Sequence, residues 1–400
     1  MCPPGTAAIP LAPSLNTQAY DIVIVGGGPV GAAVAIALHG SGFAVLVLEA
    51  RPDAGGGNDA RTLAMSYGSR LILERLAIWP QIEPVTPIEI IHVSQRGGFG
   101  RTLLSAQEVD LPALGYVVPH ARLQQAFGKA LESGQTTLMT GARVISMEST
   151  VDGITIEFHR QGILHSIAAR LLIIADGGAG AGLRVGATVK TREYGQHAVV
   201  GLVETSRPHE YKAYERFTPD GPIALLPFEH RYALVWTATP ETADRLMALA
   251  TVPFLESLQR HFGDRAGRFM SIEARARFPL TLRYASDPVL ARAVMLGNAA
   301  QALHPIAGQG FNLGLRDAWE LGETLARNAA LDPGSDECLS SYRALRRSDR
   351  FRGIALTHSL VKIFSNDFAP LRATRGAALS LLELVPPAKR AFMQRMIFGA

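Results

Sequence analysis

The chain has 400 residues, 48% of them hydrophobic, with 39 Lys and Arg against 35 Asp and Glu. This composition excludes a disordered or fibrous protein, and the length exceeds one compact core, so two domains or a domain with a large appendage are expected. The charge is uneven: residues 341–400 carry eleven basic and three acidic side chains, which leaves the remainder mildly acidic.

Residues 1–19 are rich in Pro and Ala and lack Lys and Arg. They have neither the basic start nor the apolar centre of a signal peptide and read as a loose tail. Cys2 and Cys338 are the only cysteines. Their spacing builds no disulfide framework or Cys-based metal site, and a reducing, cytoplasmic setting is expected. No apolar run reaches the length of a membrane span.

Asp21 to Arg51 reads DIVIVGGGPVGAAVAIALHGSGFAVLVLEAR. Ile22–Val25 is the apolar, β-branched run of a buried parallel strand. Gly26, Gly28 and Gly31 fit G-x-G-x-x-G, an Ala-rich helix follows, and a second apolar strand ends at Glu49. Gly26 permits the tight turn, Gly28 lets backbone approach a pyrophosphate, and Gly31 lets the helix pack on the strand. The helix start offers free N–H groups to phosphate, and Glu49 can accept from ribose hydroxyls. The glycines alone are a weak signal; strand, glycines, helix, strand and acid in order are a strong one. The motif suits NAD or FAD equally.

A further buried strand, LLIIADGG, ends at Asp176 and Gly177. Residues 187–276 then turn β-rich, with runs such as HAVVGLVE and RYALVWTA that suggest an antiparallel sheet. AVMLGNAAQALHP ends a third apolar strand at Gly297 and Asn298. A glycine loop with Gly308 and Gly310 follows, then Phe311. Asn312 is expected to begin a helix with Leu315, Ala318, Trp319, Gly322, Leu325 and Ala326 as its stripe. Three strand-ending turns spread over nearly three hundred residues suit a cofactor with a long extended arm better than NAD.

At this point the chain resembles the flavin-dependent aromatic hydroxylases of the p-hydroxybenzoate hydroxylase fold. It is similar to their ubiquinone-biosynthesis branch, the 2-octaprenyl-6-methoxyphenol hydroxylase group. The stretches that carry the likeness are DARTLAMSYGS, HVSQRGGFGRTLL, ERFTPDGPIALLP, GNAAQALHPIAGQGFNLGLRDA and RRSDR. The fold class implied is α/β, α+β overall. It comprises a Rossmann-like FAD-binding domain (20–186, with a small β insertion at about 86–112, and 277–335), an inserted β-sheet substrate domain (187–276), and a basic helical segment (336–400).

The resemblance also implies roles. Asp176 would lie near the flavin ribityl and pyrophosphate, with Asn298 in a place usually held by Asp. Arg51, Arg61 and Arg122 match positions near the adenosine end or phosphates; taken singly, each suits a surface ion pair. The helix after Gly308 would aim its positive end at the flavin N1 and C2 carbonyl. His304 and Pro305 would pass the other face of the ring, His304 as an acid/base or as a packed histidine. Phe217, Pro227 and Trp236 are candidate pocket lining, or ordinary core. Two features depart from the wider family: GGAGAGLR lacks the usual Ser, and Asn298 lacks a charge, although Asn fits the ubiquinone branch.

The activity implied is hydroxylation of a polyprenylated phenol. NAD(P)H reduces the flavin as a transient reductant, and molecular oxygen adds at C4a to give an electrophilic hydroperoxide. Alternatives are a prenyl-lipid flavoprotein reductase without oxygen insertion and a flavin-binding scaffold of a biosynthetic complex. A flavin halogenase is disfavoured because Trp79, Trp236 and Trp319 are far apart. Residues 353–400 are a candidate contact with the membrane's inner face or with other ubiquinone-biosynthesis proteins, although GIALTHSLVKIF forms no single apolar stripe. The basic residues are not interleaved with stacking aromatics, so no nucleic-acid role is expected.

Overall fold

The computed structural model describes residues 19–53, 61–134, 136–304, 308–364 and 369–399. Strand β1 (Ala19–Val25), helix α1 (Pro29–Ala37) and β2 (Val45–Glu49) form the opening βαβ unit. β3 (Thr62–Ser66) runs into α2 (Tyr67–Arg75) and the short α3 (Trp79–Ile82). β4 (Thr86–Ile88), β5 (Ile90–Gln95), β6 (Arg101–Ser105) and β7 (Gly115–Pro119) follow. Next come α4 (His120–Ser133), β8 (Thr137–Thr140), the hairpin β9 (Arg143–Ser149) and β10 (Ile154–Arg160), β11 (Ile163–Ile174) and α5 (Ala181–Arg184).

The middle of the chain holds β12 (Val189–Thr205), β13 (Lys212–Thr218), β14 (Gly221–Phe228), β15 (Arg231–Ala238), α6 (Pro240–Ala248), α7 (Thr251–Phe262) and β16 (Phe269–Ala285). β17 (Val289–Leu290), β18 (Ala293–Met295), a 3-10 turn (Gly297–Ala299), β19 (Gln301–Ala302) and α8 (Gln309–Arg327) lead to three closing helices. These are α9 (Asp336–Phe364), α10 (Ala369–Leu384) and α11 (Pro386–Phe398).

The first sheet has the parallel core β18-β11-β1-β2-β8. Its strands are continuous apolar runs because both faces are covered. One face packs on α1, α4 and α8, the other on the hairpin side with Met147, Ile156 and Phe158. Val25 pairs with Ile174, and Ile174 with Met295. The three turns that follow β1, β11 and β18 therefore leave one edge of the sheet, where open α/β sheets bind ligands.

The second sheet has the order β19-β16-β12-β15-β14-β13-β5-β6, antiparallel except for β13 with β5. Its strands β5 and β6 come from the 86–112 insertion. The boundary expected at 276 falls inside β16, which continues to Ala285. That half of β16 pairs with the start of β12, Arg192 opposite Leu282, so an earlier end would leave β12 unpaired. A third, small sheet has the order β3-β7-β4.

Candidate functional site

The three glycine turns meet. A Cβ on Gly26 would overlap the Ala175 carbonyl, and one on Gly31 would overlap the Gly26 carbonyl. A Cβ on Gly178 would stand 3.1 Å from the Asn298 oxygen, and one on Gly314 2.9 Å from the Gly297 Cα. These contacts tie the first, second and third turns and the first turns of α8 into one assembly. At Gly28, Gly177 and Gly310, by contrast, a Cβ would meet nothing within 4 Å. The glycines that hold the turns together face protein, while those three face open space.

Glu49 closes the end of β2 and is buried. It accepts from the Gly27 N–H at 2.8 Å and from the Arg51 backbone N–H and Nε at 2.9 and 2.8 Å. Burial opposes its charge, but the hydrogen bonds and charge of Arg51 outweigh that and hold the carboxyl below its ordinary range. Asp176 accepts from the N–H groups of Gly178 and Ala181, both at 2.9 Å, and so shapes the second turn. Arg283 of β16 donates to the Gly178 carbonyl at 2.6 Å, a cation at this turn that no sequence motif marks.

Arg61 is exposed and lies over the Phe278 ring at 5.9 Å. Arg122 donates to the carbonyls of Ile82 and Pro84, so it ties α4 to the chain before β4. Asn298 is exposed beside the second turn. Pro305 lies outside the described residues.

Helix α8 starts at Gln309, with Gly308 at φ 60° as its cap, three residues before the expected Asn312 start. The early start follows from Asn312 itself. Its Oδ1 accepts from the Ser66 N–H and the Ser69 hydroxyl at 2.8 and 2.7 Å, and its Nδ2 donates to the Ala64 and Gly308 carbonyls at 3.1 and 2.6 Å. This buried amide is filled by protein groups and fixes the glycine loop against β3 and α2. The N–H groups of the first turn, including those of Gly310 and Phe311, have no carbonyl within the helix to bond.

His304 is fully buried and meets Tyr194 edge-on, ring centres 5.5 Å apart. Burial pushes its pKa down to about 4, so it is neutral at pH 7. A bulge at Tyr194–Gly195, with Gly195 at φ 62°, interrupts the pairing of β12 with β16. The Tyr194 hydroxyl reaches His358 Nδ1 of α9 at 3.2 Å, and Arg192 reaches His358 Nε2 at 3.0 Å. Arginine only donates, so Nε2 accepts and Nδ1 donates to Tyr194. Burial and the charges of Arg192 and Lys362 lower the His358 pKa.

The two faces of the second sheet differ. The outer face packs Tyr214, Ile223, Leu225, Tyr232, Leu234 and Trp236 under α6 and α7. Trp236 is 2% exposed and touches Phe254 and His261. Pro227 shares the parity of Ile223 and Leu225. Of the two readings open for Trp236 and Pro227, pocket lining or ordinary core, strand alternation puts both on the core face, turned away from the glycine turns. On the inner face Ile91, Val93, Val200, Leu202, Glu215, Ala224, Leu226 and Val235 are all partly exposed. Leu202, Leu226 and Ala64 pack against the same buried cluster, and the Ala64 Cβ is 3.1 Å from where a Cβ of Gly308 would be. Phe217, on this face, packs under Val361 of α9 and Leu379 of α10, with Tyr194 beside them. The inner face thus spans from the Gly308 loop to the Tyr194–His304 end.

RRSDR locks α9 over this region. Arg346 donates to Asp317 at 2.8 Å and forms an ion pair with Asp349 at 2.6 Å, and Arg316 donates to Asp349 at 3.1 Å. Gln301 donates to Asp317 at 2.6 Å and accepts from Arg350 at 2.8 Å. Burial works against the Arg346 charge, but Asp317 and Asp349 more than offset it and raise its pKa.

A family described as FAD binding domain matches residues 19–351. The chain belongs to this FAD-binding family. The ubiquinone hydroxylase UbiL of Rhodospirillum rubrum is 35% identical over 98% of this chain and 92% of its own. The 3-demethoxyubiquinol 3-hydroxylase of Escherichia coli is 33% identical over 94% of this chain and 98% of its own. The crystal structure of p-nitrophenol 4-monooxygenase PnpA from Pseudomonas putida has a TM-score of 0.79 at 17% identity, over 96% of this chain and 99% of that one, a likeness of fold. The open space at Gly28, Gly177 and Gly310, the donors at the starts of α1 and α8, and the Glu49 carboxylate fit an extended dinucleotide. Among the described residues no helix is long and apolar enough to cross a membrane, and no cluster of His, Cys, Asp and Glu could hold a metal ion.

Proposed function

We propose that the chain is an FAD-dependent monooxygenase that hydroxylates the ring of a polyprenylated phenol in ubiquinone biosynthesis. One observation carries the reading: three glycine turns from distant parts of the chain converge on one sheet edge, facing a partly open apolar sheet. The ubiquinone hydroxylases among its relatives supply the substrate class.

Gly28 and the start of α1 would hold the pyrophosphate, with Glu49 on the ribose and Arg51 held beside it. Asp176, Gly177, Gly297 and Asn298 would line the ribityl arm. Gly308, Gly310 and Phe311 would present the free N–H groups of α8 to the flavin ring edge, where the helix dipole favours negative charge. Bound FAD would supply electron transfer from NAD(P)H and activation of oxygen. The inner sheet face, roofed by α9 and α10 through Phe217, would hold the substrate ring and exclude water.

Arg61 and Arg122 serve this reading less directly, since one is exposed and the other is bound to backbone carbonyls. Residues 353–400 are the proposed contact with the membrane surface. Leu381 and Leu384 of α10 are 62% and 77% exposed, and Arg390 and Arg395 are exposed on the neighbouring α11. Flotation with anionic vesicles, which should weaken when Leu381 and Leu384 become Ser, checks this contact. The catalytic reading is tested by deleting the chain from its host: a polyprenylphenol lacking one ring hydroxyl should accumulate. Unchanged quinone intermediates would refute it.

A further inference from the structure

Glu215 lies in the middle of β13, opposite Ala224 of β14 and Val93 of β5. Alternation places it on the inner face with Ala213 and Phe217, while Tyr214 points to the outer core. Ala213 packs in the cluster that reaches Ala64 and so the Gly308 loop. Phe217 packs toward Tyr194 and α9. Glu215 therefore stands between the two ends of the proposed ring site, and it is the one acid on that stretch of β13 between Ala213 and Phe217.

No hydrogen bond or ion pair engages the Glu215 carboxylate among the described residues, and its Oε1 is inaccessible to solvent and without a donor. A carboxylate left in apolar surroundings without a donor is costly, and a Leu or Gln would fill this sheet position more cheaply. No polar contact among the described residues therefore accounts for an acid here, while its position faces the substrate side.

Resting on the monooxygenase reading above, we propose that Glu215 is the catalytic base that takes the ring-hydroxyl proton of the bound phenol. The phenol O–H bond breaks, an O–H bond forms on the carboxylate, and the electron pair stays on the ring oxygen. The resulting phenolate is electron-rich at its ortho and para carbons, as attack on activated oxygen requires. The proton leaves to solvent after the product departs and the face opens again.

Burial alone pushes the Glu215 pKa up to about 7, with no charged neighbour contributing. A base of that strength is far better matched to a phenol than an ordinary carboxylate is. Other titratable groups around this face are Arg375 buried on α10, Arg61 over Phe278 of β16, and, at the far end, Tyr194 on β12, His304 after β19, and His358 on α9 with Arg192 against it. The last four cluster with one another, and among the described residues none of these groups bonds to Glu215. His304 and His358 both have lowered pKa values and are the weaker bases.

The test uses the full-length, FAD-loaded protein, its Glu215→Gln and Glu215→Asp variants, and a short-tailed prenylphenol as probe. Binding is followed by the phenolate difference band in the near ultraviolet, and turnover by hydroxylated product per NAD(P)H consumed. In the wild type, hydroxylation should rise with pH through about 7, as the carboxylate form of Glu215 becomes available. Glu215→Gln should bind the phenol, lack that rise, show no phenolate band below the phenol's own pKa of about 10, keep the FAD spectrum, and lose roughly 10²–10⁴-fold in hydroxylation. Glu215→Asp should recover part of that loss. An equal band and equal hydroxylation in Glu215→Gln would overturn the role of Glu215 and leave the monooxygenase reading intact. A wild type that hydroxylates no phenol at all would overturn both.

Discussion

The outer and inner faces of the second sheet are made by the same strands, residue by alternate residue, yet they do opposite things. The outer face closes Tyr232, Leu234 and Trp236 under α6 and α7 at 2% exposure or less. The inner face leaves Leu202, Leu226 and Val235 partly open and places an unpaired Glu215 among them. A face that only stabilises closes completely, whereas a face that binds a ring keeps room and tolerates a costly polar group.

The sharpest way to break this contrast is through stability. Trp236→Ala should cost about 3–5 kcal/mol and lower the thermal midpoint strongly, because it empties a closed core. Little loss there would mean that the outer face is not the core.

Glu215→Gln should act in the other direction. In the unfolded chain this carboxyl ionises near 4.5, in the folded chain near 7. Stability therefore falls as pH rises through that window and stays low above it. The Gln variant lacks this loss, so it should be more stable than wild type at pH 8 by about 1–3 kcal/mol and equal to it at pH 4. Denaturant titrations at the two pH values measure the difference. A smaller effect is expected at the glycine edge, where Glu49→Gln should weaken FAD about tenfold, or about 1.4 kcal/mol, by fluorescence titration. Smallest in stability is Leu226→Ala, at about 1 kcal/mol, with a raised KM for the phenol. If it destabilised as much as Trp236→Ala, the inner face would be ordinary core.

The first turn was legible in the sequence because its signal is local: strand, glycines, helix and Glu49 lie within thirty-odd residues. The second and third turns were legible as apolar strands ending in Asp176-Gly177 and Gly297-Asn298. The ring site was not, because strand parity decides which neighbour faces inward. Sequence leaves Trp236 and Pro227 equally open as lining or core, and both point outward, while nothing in the ERFTPDGPIALLP stretch marks Glu215. Asn312 looked like the start of a helix and is the buried clamp of the loop before it. The Tyr194–His358–Arg192 chain joins residues more than 160 apart, and only the docking of α9 brings them together.

The central claim is that the converging turns hold FAD against a phenol-binding sheet so that oxygen enters the ring. Purified protein given NAD(P)H, a short-tailed prenylphenol and heavy-isotope dioxygen tests it directly. The account requires a yellow protein and one labelled oxygen atom in each hydroxylated product. A colourless protein that takes up no FAD, or a product carrying no label, would contradict it.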